Sequence, residues 1–232
     1  MSHNSENVAI LWDIDGTLLD TQGVAARQLE RSYMEVTGLP CSILLGQYSG
    51  FTDFEIVLDL LKHSGTSPKF AKVEEILLHY GLALSDKLLQ NPPKLLADIK
   101  SIFYELANLG YVQNFIATGN SMLGAQAKIR SANLHIYFPF NSYFVSSPSN
   151  VSRDSVIATA VESINIPKIV VGDSKRDILS AKSNQLKVLA VATGHHSFKQ
   201  LEELKPDYLL NSNWKSHEFI SVISNFADNL RR

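Results

Sequence analysis

Apolar positions along this chain follow two rhythms, and the order of the two predicts the architecture. Short apolar-rich runs occupy 8–12, 111–117, 143–145, 167–171, 188–191 and 207–210. Runs of this length, closed by turn or polar residues, read as buried strands of a parallel sheet. Between them, apolar residues recur every three or four positions, which is the helical period. Ile99, Ile102, Phe103 and Leu106 share one face of an expected helix over 97–109, ended by Gly110. Further helices are expected over 122–132, 156–163 and 178–184. Strands alternating with helices imply right-handed crossovers, hence an α/β fold with a doubly wound parallel sheet.

The alternation is interrupted once, directly after the first strand. Val24, Leu29, Tyr33 and Val36 lie at near-helical spacing, and Gly38-Leu39-Pro40 closes that run. Ser49-Gly50-Phe51-Thr52-Asp53 opens a second helix over 54–61, with Thr52 or Asp53 as its N-cap. Ser64-Gly65-Thr66-Ser67-Pro68 breaks it, and 72–89 supplies a third helical stretch. Gln90-Asn91-Pro92-Pro93 marks the return to the alternating pattern. The expected organisation is an α/β core of 1–20 and 91–232 with a helical domain, 21–90, inserted into it.

Composition narrows the function classes. With 232 residues, 45% hydrophobic and 19% charged, the chain can bury a sizeable core. A formal charge of −2 gives no electrostatic argument for nucleic acid or an anionic membrane as partner. Cys41 is the only cysteine, which excludes an intrachain disulfide and a cysteine metal cluster, and it reads as a small hydrophobe. The start, 1–7, is polar, without a basic-then-apolar leader, and no apolar run reaches membrane-spanning length. The expected location is cytoplasmic, as a monomer or homodimer.

The strand ends carry the chemistry. The first strand runs into Asp13-Ile14-Asp15-Gly16-Thr17, where Gly16 permits a sharp turn and Thr17 can cap the next element. Two acids at the end of a buried strand are costly unless a cation or a proton neutralises them. Doubly wound sheets bind ligands beyond the carboxyl ends of their strands. Two other such ends carry Thr118-Gly119-Asn120 and Asp173 with Asp177. Mg2+ takes oxygen ligands, typically one or two carboxylates with phosphate and water. Asp13 and Asp173 are placed to converge on one ion, with Asp177, four residues on, as a ligand or as an acceptor behind it. Thr118, Asn120 and nearby backbone N–H groups can hold phosphate oxygens. Arg153, ahead of a helix, is the leading candidate for a cation beside them, and Lys175 the second. Lys175-Arg176 otherwise reads as a solvated turn, His195-His196 as an exposed loop, and Tyr137-Phe138-Pro139-Phe140 as packing.

In order and spacing these residues resemble the haloacid dehalogenase-like (HAD) phosphatase superfamily. Asp13-Ile14-Asp15-Gly16-Thr17 matches its first motif, Thr118 the second, and Gly172-Asp173-Ser174-Lys175-Arg176-Asp177 the acidic fourth. Arg153 stands where the third motif usually has lysine, and the helical insert where the C1-type cap belongs. The resemblance implies a Rossmann-like core, Mg2+ as cofactor, a nucleophilic Asp13 that forms an aspartyl-phosphate, and Asp15 as general acid and base. It places the metal among Asp13, Asp15 (by its backbone carbonyl), Asp173 and Asp177. It places the phosphate among Gly16, Thr17, Thr118, Gly119, Asn120 and Thr52 of the cap. Gly50-Phe51-Thr52-Asp53 resembles the cap loop of phosphoglycolate phosphatase-like members, but Phe51 stands where a basic residue often follows the glycine, which argues against a small carboxylated substrate. The implied activity is Mg2+-dependent hydrolysis of a small phosphorylated metabolite, and Asp15 argues against dehalogenation. Two alternatives stay open: a phosphosugar mutase of the β-phosphoglucomutase type, and a non-enzymatic receiver-like Mg2+-binding domain.

Overall fold

The structure, a computed structural model, describes residues 7–44 and 46–230, so most of the polar stretch 1–7 lies outside the described residues. In chain order the elements are β1 (Val8–Trp12), β2 (Leu19–Asp20), α1 (Val24–Thr37), α2 (Asp53–His63), α3 (Phe70–Gln90), β3 (Lys94–Leu95), α4 (Ile99–Leu109) and β4 (Val112–Ser121). They continue as α5 (Met122–Ser131), β5 (Tyr143–Ser146), α6 (Arg153–Ser163), β6 (Lys168–Gly172), α7 (Lys175–Ser183), β7 (Lys187–Val191), α8 (Phe198–Glu202), β8 (Tyr208–Leu210) and α9 (Ser216–Asn229). Six strands form one parallel sheet in the order β5-β4-β1-β6-β7-β8, and β2 pairs with β3 in a small antiparallel ladder.

β1 sits in the middle because it is apolar on both faces. Its alternating side chains feed two cores. Val8, Ile10 and Trp12 join Ile102 and Phe103 of α4, Ile129 of α5 and Phe219 and Ile223 of α9. Ala9 and Leu11 join Ile157 of α6, Ile178 of α7 and Leu201 of α8. Trp12 stacks on Phe219 with ring centroids 5.0 Å apart. The flanking strands are fixed in register, Trp12 lying opposite Ile116 and Val171, so that the chain beyond each strand emerges at the same edge.

The three inserted helices bury a cluster of their own, including Leu29, Tyr33, Phe54, Val57, Ile76 and Leu84, and Ala127 of α5 packs into it. Helix α3 lies against α5 closely enough that a Cβ on Gly81 would overlap Leu123 Cβ. On the opposite side Arg176 of α7 reaches the cap. Its Nη1 bonds both Glu55 oxygens at 2.8 and 2.9 Å, and its guanidinium lies 3.5 Å over the Phe51 ring. The reading of Arg176 as part of a solvated turn is therefore corrected: a cation–π contact and a forked ion pair hold it against the insert. Thr52 is the N-cap of α2 in a reciprocal capping box with Glu55, and its hydroxyl donates to the Val151 carbonyl of the core.

The remaining differences from the sequence reading have local causes. β4 was expected to stop at Thr118, but pairing with β5 resumes at Ser121 after a register shift. Helices α6 and α7 begin at Arg153 and Lys175, three residues before the expected starts, because their first turns are polar and are set by the N-caps Ser152 and Ser174. α8, α9 and the β2/β3 pair were not anticipated. In α9, Phe219, Ile223, Phe226 and Ala227 are buried at helical spacing, whereas two-residue strands carry no readable period. Phe138 is buried and Tyr137 stacks on Phe103, while Phe140 is exposed. Cys41 is a half-buried free thiol whose pKa burial pushes up to about 11. No helix among the described residues is long and apolar enough to cross a membrane.

The close approach of α3 and α5 makes Gly81 a packing requirement. Gly81→Val is expected to destabilise the protein by about 1–3 kcal/mol through overpacking, read from the denaturant midpoint. Leu82→Ala, on the same helix but exposed, should stay within about 0.5 kcal/mol.

Candidate active site

A cavity of about 360 Å³ opens at the carboxyl edge of β1, β4 and β6, beneath the inserted helices. Its floor carries the strand-end residues. Asp13 and Asp15 follow β1, Thr118, Gly119 and Asn120 close β4, and Asp173 follows β6. Gly16 turns the chain with φ 79°, and a Cβ there would stand 2.5 Å from Asp173 Oδ2. The backbone thus has both a conformational and a steric need for glycine. Thr193 holds the turn by donating to the Gly16 carbonyl at 2.6 Å.

Asp13, Asp173 and Asp177 bring one carboxylate oxygen each to within 4.8 Å of one another. Burial raises the Asp13 pKa to about 7, with Asp177 and Asp15 adding to the rise and Arg153 and the Thr118 hydrogen bond opposing it. Asp173 is raised well above the usual carboxylate range by burial, then by repulsion from Asp177 and Asp13. Three acids with one guanidinium among them are under-neutralised, and an all-oxygen donor set suits a hard divalent cation. The cluster is consistent with a metal site.

Arg153 opens α6 immediately after its N-cap, which aims the buried side chain into the acids. Its Nε donates to Asp177 Oδ1 at 2.7 Å, and Nη2 lies 3.3 Å from Asp13 Oδ1. Nη1 has no hydrogen-bond partner among the described residues. Burial works against the charge, but Asp177 and Asp13 outweigh it and raise the pKa further. Asp177 has both oxygens engaged, Oδ1 by Arg153 and Oδ2 by the Ser174 N–H at 3.0 Å and the Ser174 hydroxyl at 2.6 Å. It therefore serves as the clamp on Arg153 and the first turn of α7. Asp13 and Asp173 are the less encumbered oxygen donors. Lys175 is exposed.

Asp15 sits in a different environment. Its Oδ2 accepts from Lys128 Nζ at 2.6 Å and from Asn120 Nδ2 at 2.8 Å, while the side chain stays 43% exposed. Lys128 projects from α5, almost wholly buried, and also bonds Asn120 Oδ1. Burial lowers its pKa, but Asp15, Tyr80 and Asp53 more than reverse that and raise it. Asp53, at the start of α2, accepts from the Ser121 N–H at 2.7 Å and hydroxyl at 3.0 Å, tying the insert to the end of β4.

Two residues expected at the phosphate have their hydroxyls engaged elsewhere. The Thr17 hydroxyl donates to Asp173 Oδ1 at 3.3 Å, and that of Thr52 is committed to α2 and Val151; neither side chain lines the cavity. Asn120 lines it but spends its amide on Thr118, Asp15 and Lys128. His195, read as a plain exposed loop, is exposed but stands at the cavity rim near Gly46. Lys128, Asp53, Tyr80 and Thr193 were missed. A lysine between alanine and isoleucine in a helix gives no sign of which way it faces.

The raised pKa of Asp13 has a consequence for stability. In the metal-free protein the unfolded chain ionises near the ordinary 3.8 and the native one near about 7, so the native state holds the extra proton between them. Stability from this group is complete below the unfolded value and is lost as pH rises through about 7. Asp13→Asn should therefore match the wild type best near pH 4 and become progressively more stable than it as pH rises to 7. Thermal melts in a chelating buffer at both pH values measure this.

Comparison with known proteins agrees with this geometry. The family of haloacid dehalogenase-like hydrolases matches residues 10–191. A protein of Caldanaerobacter subterraneus subsp. tengcongensis named, as a prediction, pyrophosphatase PpaX is 25% identical over 211 residues, 89% of this chain and 91% of its own. A solved structure of a predicted phosphoglycolate phosphatase from Haemophilus somnus covers 96% of this chain and 100% of its own, with TM-score 0.68 and 16% identity. CbbY from Rhodobacter sphaeroides, solved with xylulose-(1,5)bisphosphate, covers 87% and 92%, with TM-score 0.67 and 18% identity. The matched span includes both strand-end acids of β1, Arg153 and the Asp173–Asp177 pair, and the chain belongs to the haloacid dehalogenase-like hydrolase family.

Proposed function

We propose that the protein is a Mg2+-dependent phosphatase of a small phosphorylated metabolite, working through a phosphorylated Asp13. The observation that carries this reading is the electrical division between two acids two residues apart. Asp13 lies in the buried cluster beside Arg153, and Asp15 lies outside it, held by Lys128 and Asn120. A nucleophile and a proton carrier need such separate environments.

In this reading an Asp13 oxygen attacks phosphorus in line, the ester P–O bond breaks, and an aspartyl-phosphate forms. Asp15 gives its proton to the departing oxygen. It then takes a proton from a water molecule that attacks phosphorus, the bond to Asp13 breaks, and inorganic phosphate leaves with Asp13 restored. Arg153, with Nη1 unpartnered, has a donor to spare for the phosphoryl oxygens. Thr118 and the backbone at Gly119 line the same floor. Asp13, Asp173 and the Asp15 carbonyl would hold Mg2+, which when bound relieves the repulsion between a carboxylate and an anionic phosphate. Asp177 fixes Arg153, and Lys128 with Asn120 orients Asp15. The insert, 21–90, serves as a lid that keeps bulk water out.

A phosphate-release screen over a metabolite panel tests the proposal. Release should depend on Mg2+ and stop with chelator. Asp13→Asn should lose about a thousand-fold or more in kcat, and undiminished turnover in it would exclude the covalent route. Asp15→Asn, given p-nitrophenyl phosphate, should release about one equivalent of nitrophenol quickly and then stall. That leaving group needs no acid, but the attacking water still needs a base.

A further inference from the structure

The end of the cavity away from the acids bears on which metabolite is hydrolysed. Resting on the phosphatase reading above, we infer that the substrate is a phosphate monoester of an uncharged alcohol with an apolar carbon face. It is not an ester whose leaving group carries a carboxylate or a second phosphate.

The charges on the cavity wall decide between these classes. The insert contributes Ala25, Ala26, Leu29, Ile43, Leu44 and Ile56 as an apolar surface. No lysine, arginine or histidine of the insert lines the cavity among the described residues. Its ionisable contributions are Tyr48 and Tyr80, with Asp53 at the boundary. The Tyr48 hydroxyl is already donated to Asp59 at 2.7 Å. Arg27 is exposed and turns back to the Gln22 carbonyl, and Arg176 is held by Glu55 and Phe51 outside the cavity. From the core, Arg153 is committed to the phosphoryl end and Lys128 to Asp15 and Asn120, which among the described residues leaves only His195 at the exposed rim.

An anionic tail on the leaving group would lie against aliphatic carbon, with Asp20 and Asp53 nearby and Lys128 already paired with Asp15. A buried anion without a partner is rejected strongly, whereas a neutral carbon chain meets a matching surface. The cavity, about 360 Å³, is at the small end of ligand sites and suits a short alcohol. The relatives' names and ligand, a pyrophosphatase, a phosphoglycolate phosphatase and a sugar bisphosphate, all involve a second anionic group. Among the described residues this wall offers no free cation to hold one.

The test compares kcat/KM of the full chain with Mg2+ on n-butyl phosphate and phenyl phosphate against phosphoglycolate, pyrophosphate and xylulose 1,5-bisphosphate. The neutral-tailed esters should be favoured by about ten-fold or more. Equal or better turnover of the doubly anionic compounds would overturn the inference while leaving the phosphatase reading intact. No release from any of the five would overturn the phosphatase reading itself. Ile43→Lys, and Leu44→Lys at an exposed position that folding tolerates, should shift the phosphoglycolate-to-butyl-phosphate ratio upward by about ten-fold. The ratio is taken within one preparation, so loss of folded protein does not affect it. An unchanged ratio in Leu44→Lys would show that the cap wall does not read charge and would overturn the inference.

Discussion

Concentrated negative charge inside a parallel sheet is the constraint on which the rest of this structure depends. Asp13 and Asp173 emerge from β1 and β6, which lie side by side in register, so the topology that packs the core also forces the two carboxylates together. Such a pair is sustained only by opposing charge or by protons. The fold supplies part of the opposition through Arg153, whose side chain is as buried as the acids it faces. Asp177 completes the arrangement by fixing the guanidinium while its other oxygen starts α7. Removing Arg153 would leave the acids with charge that the interior cannot solvate.

A second, smaller network runs in parallel and keeps Asp15 apart from the first. Lys128 and Asn120 meet one oxygen of Asp15 on the side of the sheet where β4 ends, and Asp53 ties the same region to the insert. The cavity thus has a polar floor made by the core and an apolar roof made by the insert.

Much of this was legible in the sequence, for identifiable reasons. Asp13, Asp15 and Asp173 stand out because each follows an apolar run, where a carboxylate has no packing reason to be. Arg153 stands out because it sits just ahead of a helix between two such strands. What could not be read depends on tertiary contacts. Lys128 has the neighbours of any helical lysine, and only the docking of α3 on α5 buries it. Arg176 looks solvated until Glu55 and Phe51, more than a hundred positions earlier, arrive beside it. The bonds of the Thr17 and Thr52 hydroxyls were not readable either, because proximity in sequence to a motif does not reveal which acceptor a hydroxyl finds. The polar first turns of α6 and α7 hid their starts from any apolar period.

The bond from Thr52 to the Val151 carbonyl has a bearing on how such proteins diversify. Thr52 initiates the first helix after the cap loop, and Val151 stands two residues before Arg153. The insert and the segment that leads into Arg153 therefore share an anchoring point, although ninety-nine positions separate Thr52 from Val151. An insert borrowed from a relative would bring its own helix start to that point and would shift the loop that aims the guanidinium. The insert is thus coupled at this joint to the buried acidic cluster, so single changes in its wall disturb that cluster less than an exchange of the whole module would.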